Sequence, residues 1–172
     1  MQEIIIVAGP NGAGKTSFAN EYLSAAEEDL AYVNADEIAR GLALQGLAGT
    51  ALDVASAGAL LGDVERLVAS RAEFMLETTL ATLTYAPRIG SWRKQGYWVS
   101  LIYLRLPSVE VAIERVQRRV RAGGHSIPTD VVRRRFSRSL QYLERIYKPI
   151  VDDWSIWDSL EGDFRLAATS DD

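Results

Sequence analysis

Lys15 and Thr16 close the octet Gly9-Pro10-Asn11-Gly12-Ala13-Gly14-Lys15-Thr16, which carries G-x-x-x-x-G-K-[ST] at every fixed position. Glycines at these places let the backbone curl until its N–H groups face inward as an anion cradle. The helix that follows the loop adds unpaired N–H groups and the positive end of its dipole. Lys15 then supplies a point charge for β- and γ-phosphates, and the Thr16 hydroxyl a ligand for Mg²⁺. Residues Gly9 to Thr16, with Ser17 following, therefore specify a site for a nucleoside triphosphate with Mg²⁺. A dinucleotide fingerprint is excluded, because Gly12-x-Gly14 is followed by Ser17 where a third Gly or Ala is required.

Two acids follow short apolar runs. Asp36 lies in Asn34-Ala35-Asp36-Glu37. A carboxylate there can take the proton of an attacking hydroxyl and help to order Mg²⁺. It can equally cap the helix that begins at Glu37. Glu77 closes Met75-Leu76-Glu77-Thr78-Thr79. A charge directly after an apolar strand is costly without a partner, so Glu77 reads as a substrate or metal-water contact, or else as a solvated acid at the sheet end. Thr78 and Thr79 can hydrogen-bond a substrate or simply begin a loop.

Between residues 105 and 138 stand Arg105, Arg115, Arg118, Arg119, Arg121, Arg133, Arg134, Arg135 and Arg138, opposed by Glu110, Glu114 and Asp130. At about 100° per residue, Val109, Ala112, Ile113, Val116 and Val120 form one apolar stripe. Arg118 points away from it; Arg115 and Arg119 flank it, with Arg119 the better placed to reach inward. On the next helix Val132, Phe136, Leu140 and Leu143 mark the core side, Arg133 and Arg135 flank it, and Arg134 points out. The connection Gly123-Gly124-His125-Ser126-Ile127-Pro128 reads as the hinge of a helical lid over about 108–146. Arginines on a lid suit phosphoryl transfer, where charge spreads over equatorial oxygens. A solvated basic face and a nucleic-acid surface are the other readings. His125, the only histidine, sits in the hinge as a candidate substrate contact.

The elements that must position these residues alternate between strand and helix. Strands are expected at 3–8, 31–34, 74–79 and 98–106, with an edge strand at 164–168. Helices are expected after Lys15 and at 37–44, 52–72, 85–95, from Ser108 to Gly123-Gly124, and at 129–146. Val54 belongs to the apolar set of the long helix. Trp154 and Trp157 could flank the nucleotide. The last residues, Ser170 to Asp172, are expected to fray. Strands alternating with helices imply an α/β fold: a mostly parallel sheet, helices on both faces, and ligands at the carboxyl ends of the strands.

At 172 residues the chain suits a single domain with a sizeable core. A net charge of −4 gives no broad attraction to nucleic acid. The lack of cysteine excludes disulfides and thiolate metal sites and fits a reducing cytoplasm. The N-terminus runs straight into the first strand without a signal peptide, and no apolar run approaches the roughly 20 residues of a membrane span.

The loop, Asn34-Ala35-Asp36-Glu37-Ile38-Ala39-Arg40, Glu77-Thr78-Thr79 and Gly123-Gly124-His125-Ser126-Ile127-Pro128, in that order, make the chain resemble the zeta toxin family of P-loop kinases, especially its short bacterial branch. The resemblance runs from about Ile4 to Asp158. It implies a P-loop kinase domain over 1–172 that moves the ATP γ-phosphate to the sugar 3′-hydroxyl of UDP-N-acetylglucosamine, and a small antitoxin as partner. By position it makes Lys15 and Thr16 the ATP–Mg²⁺ residues, Asp36 the base, Glu77 a substrate contact and Arg119 the first lid arginine. The family's second lid arginine falls near His125, so Arg133 or Arg135 would replace it, with Arg135 taken as the catalytic candidate. Another metabolite, a nucleic-acid 5′ end, or a non-catalytic ATP-binding switch are the other functions the residues admit.

Overall fold

Ile4 to Ala8 are all at most 3% exposed, which puts the first strand in the centre of the molecule. The computed structural model describes residues 1–26 and 30–171. Among these the strands are β1 (Gln2–Ala8), β2 (Ala31–Val33), β3 (Phe74–Thr78), β4 (Tyr97–Arg105), β5 (Asp153–Leu160) and β6 (Asp163–Thr169). They form one sheet in the order β2-β3-β1-β4-β5-β6. Every pairing is parallel except that of β6 with β5. The helices are α1 (Lys15–Ala26), α2 (Ala35–Leu44), α3 (Gly49–Ala69), α4 (Ala86–Lys94), α5 (Val109–Arg121) and α6 (Thr129–Tyr142).

Alternation along β1 assigns the two faces. Ile4, Ile6 and Ala8 pack with Leu60, Val64 and Val68 of α3, with Ile89 and Trp92 of α4, and with Leu143 and Tyr147. Ile5 and Val7 pack with Phe18 and Ala19 of α1, Ala112 and Val116 of α5, and Val132 of α6. Each face is apolar, so the central strands are near-continuous hydrophobic runs, as a doubly covered parallel sheet requires. The expected α/β layering is therefore the observed one.

Several boundaries differ from expectation for local reasons. β5 was not anticipated. Its sequence mixes acids and serines with two tryptophans, and it becomes a strand by pairing with β4 and β6. Its alternation sends Trp154 and Trp157 to opposite faces, so the two rings do not flank one site. Trp154 lies under the Lys148 ammonium at 4.1 Å, and Trp157 meets the Phe18 ring edge-on at 5.5 Å. α3 begins and ends three residues earlier than the pattern suggested. It stops in a Schellman turn, with the Arg71 N–H on the Val68 carbonyl and the Ala72 N–H on that of Leu67. Val54 on α3 is 67% exposed and not part of the core. α6 gives way at Leu143 to a π-helical turn that runs to Tyr147. Ser170 is held by the Trp154 carbonyl rather than frayed, and Asp172 lies outside the described residues.

Candidate active site

The loop between β1 and α1 leaves the carboxyl end of the central strand, where both neighbouring strands also end. The Gly9 N–H donates to the Thr78 carbonyl of β3 at 3.3 Å. A Cβ on Gly9 would stand 2.6 Å from the Leu104 carbonyl oxygen of β4. Gly12, at φ +85°, is pressed by α5: a Cβ there would meet the Ala112 carbonyl and the Arg115 Cβ at 3.0 Å. These two glycines are thus required by close approach as well as by conformation.

Lys15 folds back over the loop. Its ammonium donates to the carbonyls of Gly9 at 2.9 Å and Pro10 at 3.1 Å. Burial pulls its pKa down to about 8; the Glu77 and Asp36 carboxylates push it up, and Arg119 and Arg135 push it down. Five side chains from α1, α2, β3, α5 and α6 therefore share one electrostatic neighbourhood.

Glu77 is 8% exposed at the end of β3. The Thr16 hydroxyl donates to its two oxygens at 3.3 and 3.0 Å, and the Tyr32 hydroxyl donates to Oε2. Burial raises its pKa, against the opposing effects of Lys15, the Thr16 bond and Arg119. Glu77 is not the solvated sheet-end acid that was one of its two readings. Tyr32, at the start of this chain of bonds, was not anticipated. Asn34 Nδ2 reaches the Tyr32 hydroxyl at 3.4 Å.

The same Asn34 caps α2, its Oδ1 accepting the Asp36 N–H at 2.8 Å. Asp36 is therefore not the cap. The helix starts at Ala35, and Asp36 stands exposed in its first turn, close enough to act on Lys15 and Arg135. The cap is instead the asparagine two residues before it, an equally good capping residue type.

Thr78 is used by its own turn, its Oγ1 accepting the Leu80 N–H at 3.0 Å. Leu80 is fully buried at φ 61°, a strained conformation for leucine. Thr79 between them is half-buried. Ser17 is exposed in the first turn of α1, and Ala13 is buried. Asn11 Oδ1 is buried without a hydrogen-bond partner among the described residues, as an atom awaiting a ligand or water would be.

The arginines sort clearly. Arg118 faces out, paired with Glu114 at 2.7 Å and Glu161 at 2.5 Å. Arg119 is exposed but acts on both Lys15 and Glu77. Arg133 is spent on Glu110 at 3.3 Å. Arg135 is half-buried; burial lowers its pKa, Arg134 adds to that, and Asp53 and Asp36 oppose it. Arg115, which the helical stripe ranked below Arg119, binds the loop itself: it donates to the Gly12 carbonyl at 3.3 Å and to Ser159 of β5.

Gly123-Gly124 is a helix stop. The Gly124 N–H donates to the Arg119 carbonyl at 2.8 Å, and a Cβ on Gly124 would sit 2.8 Å from the Arg119 Cγ. The pair thus ends α5 against the stem of Arg119. His125 is exposed and makes no hydrogen bond or ion pair among the described residues, so it is not joined to the cluster.

The oxygen donors suit a magnesium ion. The Thr16 hydroxyl and Glu77 carboxylate are adjacent hard ligands, of the kind that hold Mg²⁺ together with phosphate oxygens and water. Among the described residues no group of three or more His, Cys, Asp or Glu forms an all-protein metal cage. None of the described helices is long and apolar enough to cross a membrane.

Residues 4–146 match a profile of the AAA_33 family, described as an AAA domain. A protein of Haemophilus influenzae, itself uncharacterised, is 26% identical over 132 residues, which is 77% of this chain and 91% of that protein. Among solved structures, the fold is similar to the PezAT toxin–antitoxin system of Streptococcus pneumoniae (TM-score 0.71, 18% identity, 100% of this chain and 72% of that one). It is also similar to AvrRxo1-ORF1:ORF2 with ATP (TM-score 0.69, 18% identity, 98% and 58%). A third likeness is to a chain of the Pnkp1/Rnl/Hen1 RNA repair complex (TM-score 0.68, 19% identity, 84% and 46%). The chain thus spans about half the length of the last two.

Proposed function

The chain belongs to the AAA_33 family and has its P-loop kinase-like fold, and from that premise we propose that it transfers the γ-phosphate of ATP to a hydroxyl of a small molecule. The observation that carries this reading is the charge environment of Lys15, whose ammonium is acted on by the Glu77 and Asp36 carboxylates and by the Arg119 and Arg135 guanidiniums. A simple nucleotide-binding switch needs the lysine and the Thr16 hydroxyl. It does not need an exposed carboxylate and two further cations brought from three other elements.

In this reading the loop amides and Lys15 hold the β- and γ-phosphates. Thr16 and Glu77 would hold Mg²⁺, which when bound neutralises phosphate charge and aligns the oxygens. Asp36, unlike Glu77, is open to a substrate and takes the proton from the attacking hydroxyl at its carboxylate. Arg119 and Arg135 reach in from the helical hairpin and offset charge on the transferred group. The region 108–146 serves as the lid of a single domain spanning 1–172.

A nucleotide sugar such as UDP-N-acetylglucosamine is the acceptor proposed, on the resemblance of the four motifs to the zeta toxin family. The likeness to a toxin–antitoxin system supports a protein partner of the antitoxin kind, and an ATP-bound relative of similar fold supports ATP as donor. A cytoplasmic site of action accords with the donor. The reading is tested by coupled ATP consumption against a panel of nucleotide sugars, other metabolites and 5′-hydroxyl oligonucleotides. Acceptor-dependent turnover that Lys15→Ala abolishes supports it. Turnover that ignores every acceptor favours the switch.

A further inference from the structure

Two carbonyl groups of the loop are held from outside by one arginine and one serine that come from distant parts of the chain. Ser159 Oγ donates to the Ala13 carbonyl at 2.7 Å. Arg115 Nη1 donates to the Gly12 carbonyl at 3.3 Å and to Ser159 Oγ at 2.9 Å, and Nη2 donates to the Ser159 carbonyl at 3.2 Å. Ser159 is 2% exposed, so its bond to the Ala13 carbonyl is shielded from water and matters more than a surface one, while the Arg115 bonds beside it are part-buried.

The peptide plane gives the network its consequence. A trans peptide points its C=O and the next N–H in opposite directions. A carbonyl of Ala13 fixed toward β5 therefore turns the Gly14 N–H away from β5, into the cradle. The β5–β6 hairpin reinforces this. Phe164 is the register partner of Ser159, and its ring would meet a Cβ on Gly14 at 3.3 Å. The Ala13 N–H is engaged differently, in a turn to the Pro10 carbonyl at 3.1 Å. Gly14 is thus the amide whose direction the brace decides.

We propose that Arg115 and Ser159 are positioning residues of the nucleotide site: they hold the Gly12 and Ala13 carbonyls outward, fixing the loop and aiming the Gly14 amide at the phosphates before a nucleotide arrives. The proposal rests on the kinase reading for the identity of the ligand. It also gives α5 a fixed foot. Arg115 ties the helix to the loop, and Arg119, one turn further on, is the next arginine of α5 with no ion pair among the described residues and would answer the bound phosphates. The brace works through the loop and touches no reacting atom.

Titration calorimetry with Mg²⁺–ATP and Mg²⁺–ADP tests this on wild type, Ser159→Ala and Arg115→Lys. Ser139→Ala serves as comparison, since Ser139 is fully buried and its hydroxyl bonds Tyr103 at 2.8 Å, not the loop. The expected result is about tenfold weaker binding of both nucleotides by Ser159→Ala and by Arg115→Lys, and unchanged binding by Ser139→Ala although its Tm also falls. Wild-type affinity in Ser159→Ala and Arg115→Lys, or an equal loss in Ser139→Ala, overturns the proposal while leaving the kinase reading in place. Failure of the wild type to bind either nucleotide overturns the kinase reading and the brace together.

Discussion

The Thr16 hydroxyl donates to the Glu77 carboxylate, 3.0 Å from one oxygen and 3.3 Å from the other, across 61 residues of sequence. That bond joins the helix after the phosphate loop to the neighbouring strand and sets a hydroxyl and a carboxylate side by side. It also places a carboxylate where burial raises its pKa. Glu77→Gln keeps the shape and removes the charge. Activity is expected to fall by about 100-fold or more, as losses of electrostatic groups at transferring centres do. A raised carboxyl pKa contributes stability below its ordinary value and loses it as pH rises through the folded value. The nucleotide-free Glu77→Gln protein is therefore expected to match the wild type in acid and to exceed it in Tm at neutral pH. Paired thermal melts across that pH range check this.

Lys15 makes a second pH prediction. Its pKa is lowered to about 8 in the free protein, and phosphates beside it would raise it again. Nucleotide binding above about pH 8 must then take up a proton, and affinity must fall as pH rises through that point. Calorimetry in buffers of different ionisation enthalpy measures the uptake directly. The free protein's own stability runs the other way for this group. The native state binds fewer protons than the unfolded one between about 8 and 10.5, so stability rises with pH across that window.

The two arginine pairs should separate. Arg119→Ala and Arg135→Ala are expected to lower kcat by about 100-fold or more, while Arg118→Ala and Arg133→Ala stay within about threefold of wild type. Arg118 and Arg133 are engaged with Glu114, Glu161 and Glu110 at the surface. Steady-state kinetics on the four variants decides it.

Asn34→Ala removes the cap of α2 and the amide that reaches Tyr32. A lost cap costs about 1 kcal/mol, or roughly 2–4 °C in Tm for a chain of this size. Because Asp36 rides on the first turn of α2, acceptor KM should rise as well. Asp36→Asn leaves the cap and should spare Tm while lowering kcat.

The phosphate loop, the two acids and the general layering were legible because each rests on local pattern: glycine spacing, apolar runs and the residues just after them. Ser159 was not legible, because β5 is a strand only through its neighbours and its sequence alternates weakly. Helical periodicity put Arg115 and Arg119 on one side of α5. It could not say which reaches the loop, since that depends on where α5 lands on the sheet and on Gly12 having no side chain to hold it off. Asn34 and Asp36 are both good caps by type, and the choice between them is made by β2 ending at Val33.

The central claim, that this cluster moves phosphate from ATP to a hydroxyl, is tested most directly by incubating the protein with γ-labelled ATP and UDP-N-acetylglucosamine and identifying the labelled product. The account predicts label in a phosphorylated nucleotide sugar with wild type, and none with Lys15→Ala or Asp36→Asn. Label released only as inorganic phosphate, at a rate untouched by the sugar or by Asp36→Asn, would contradict it.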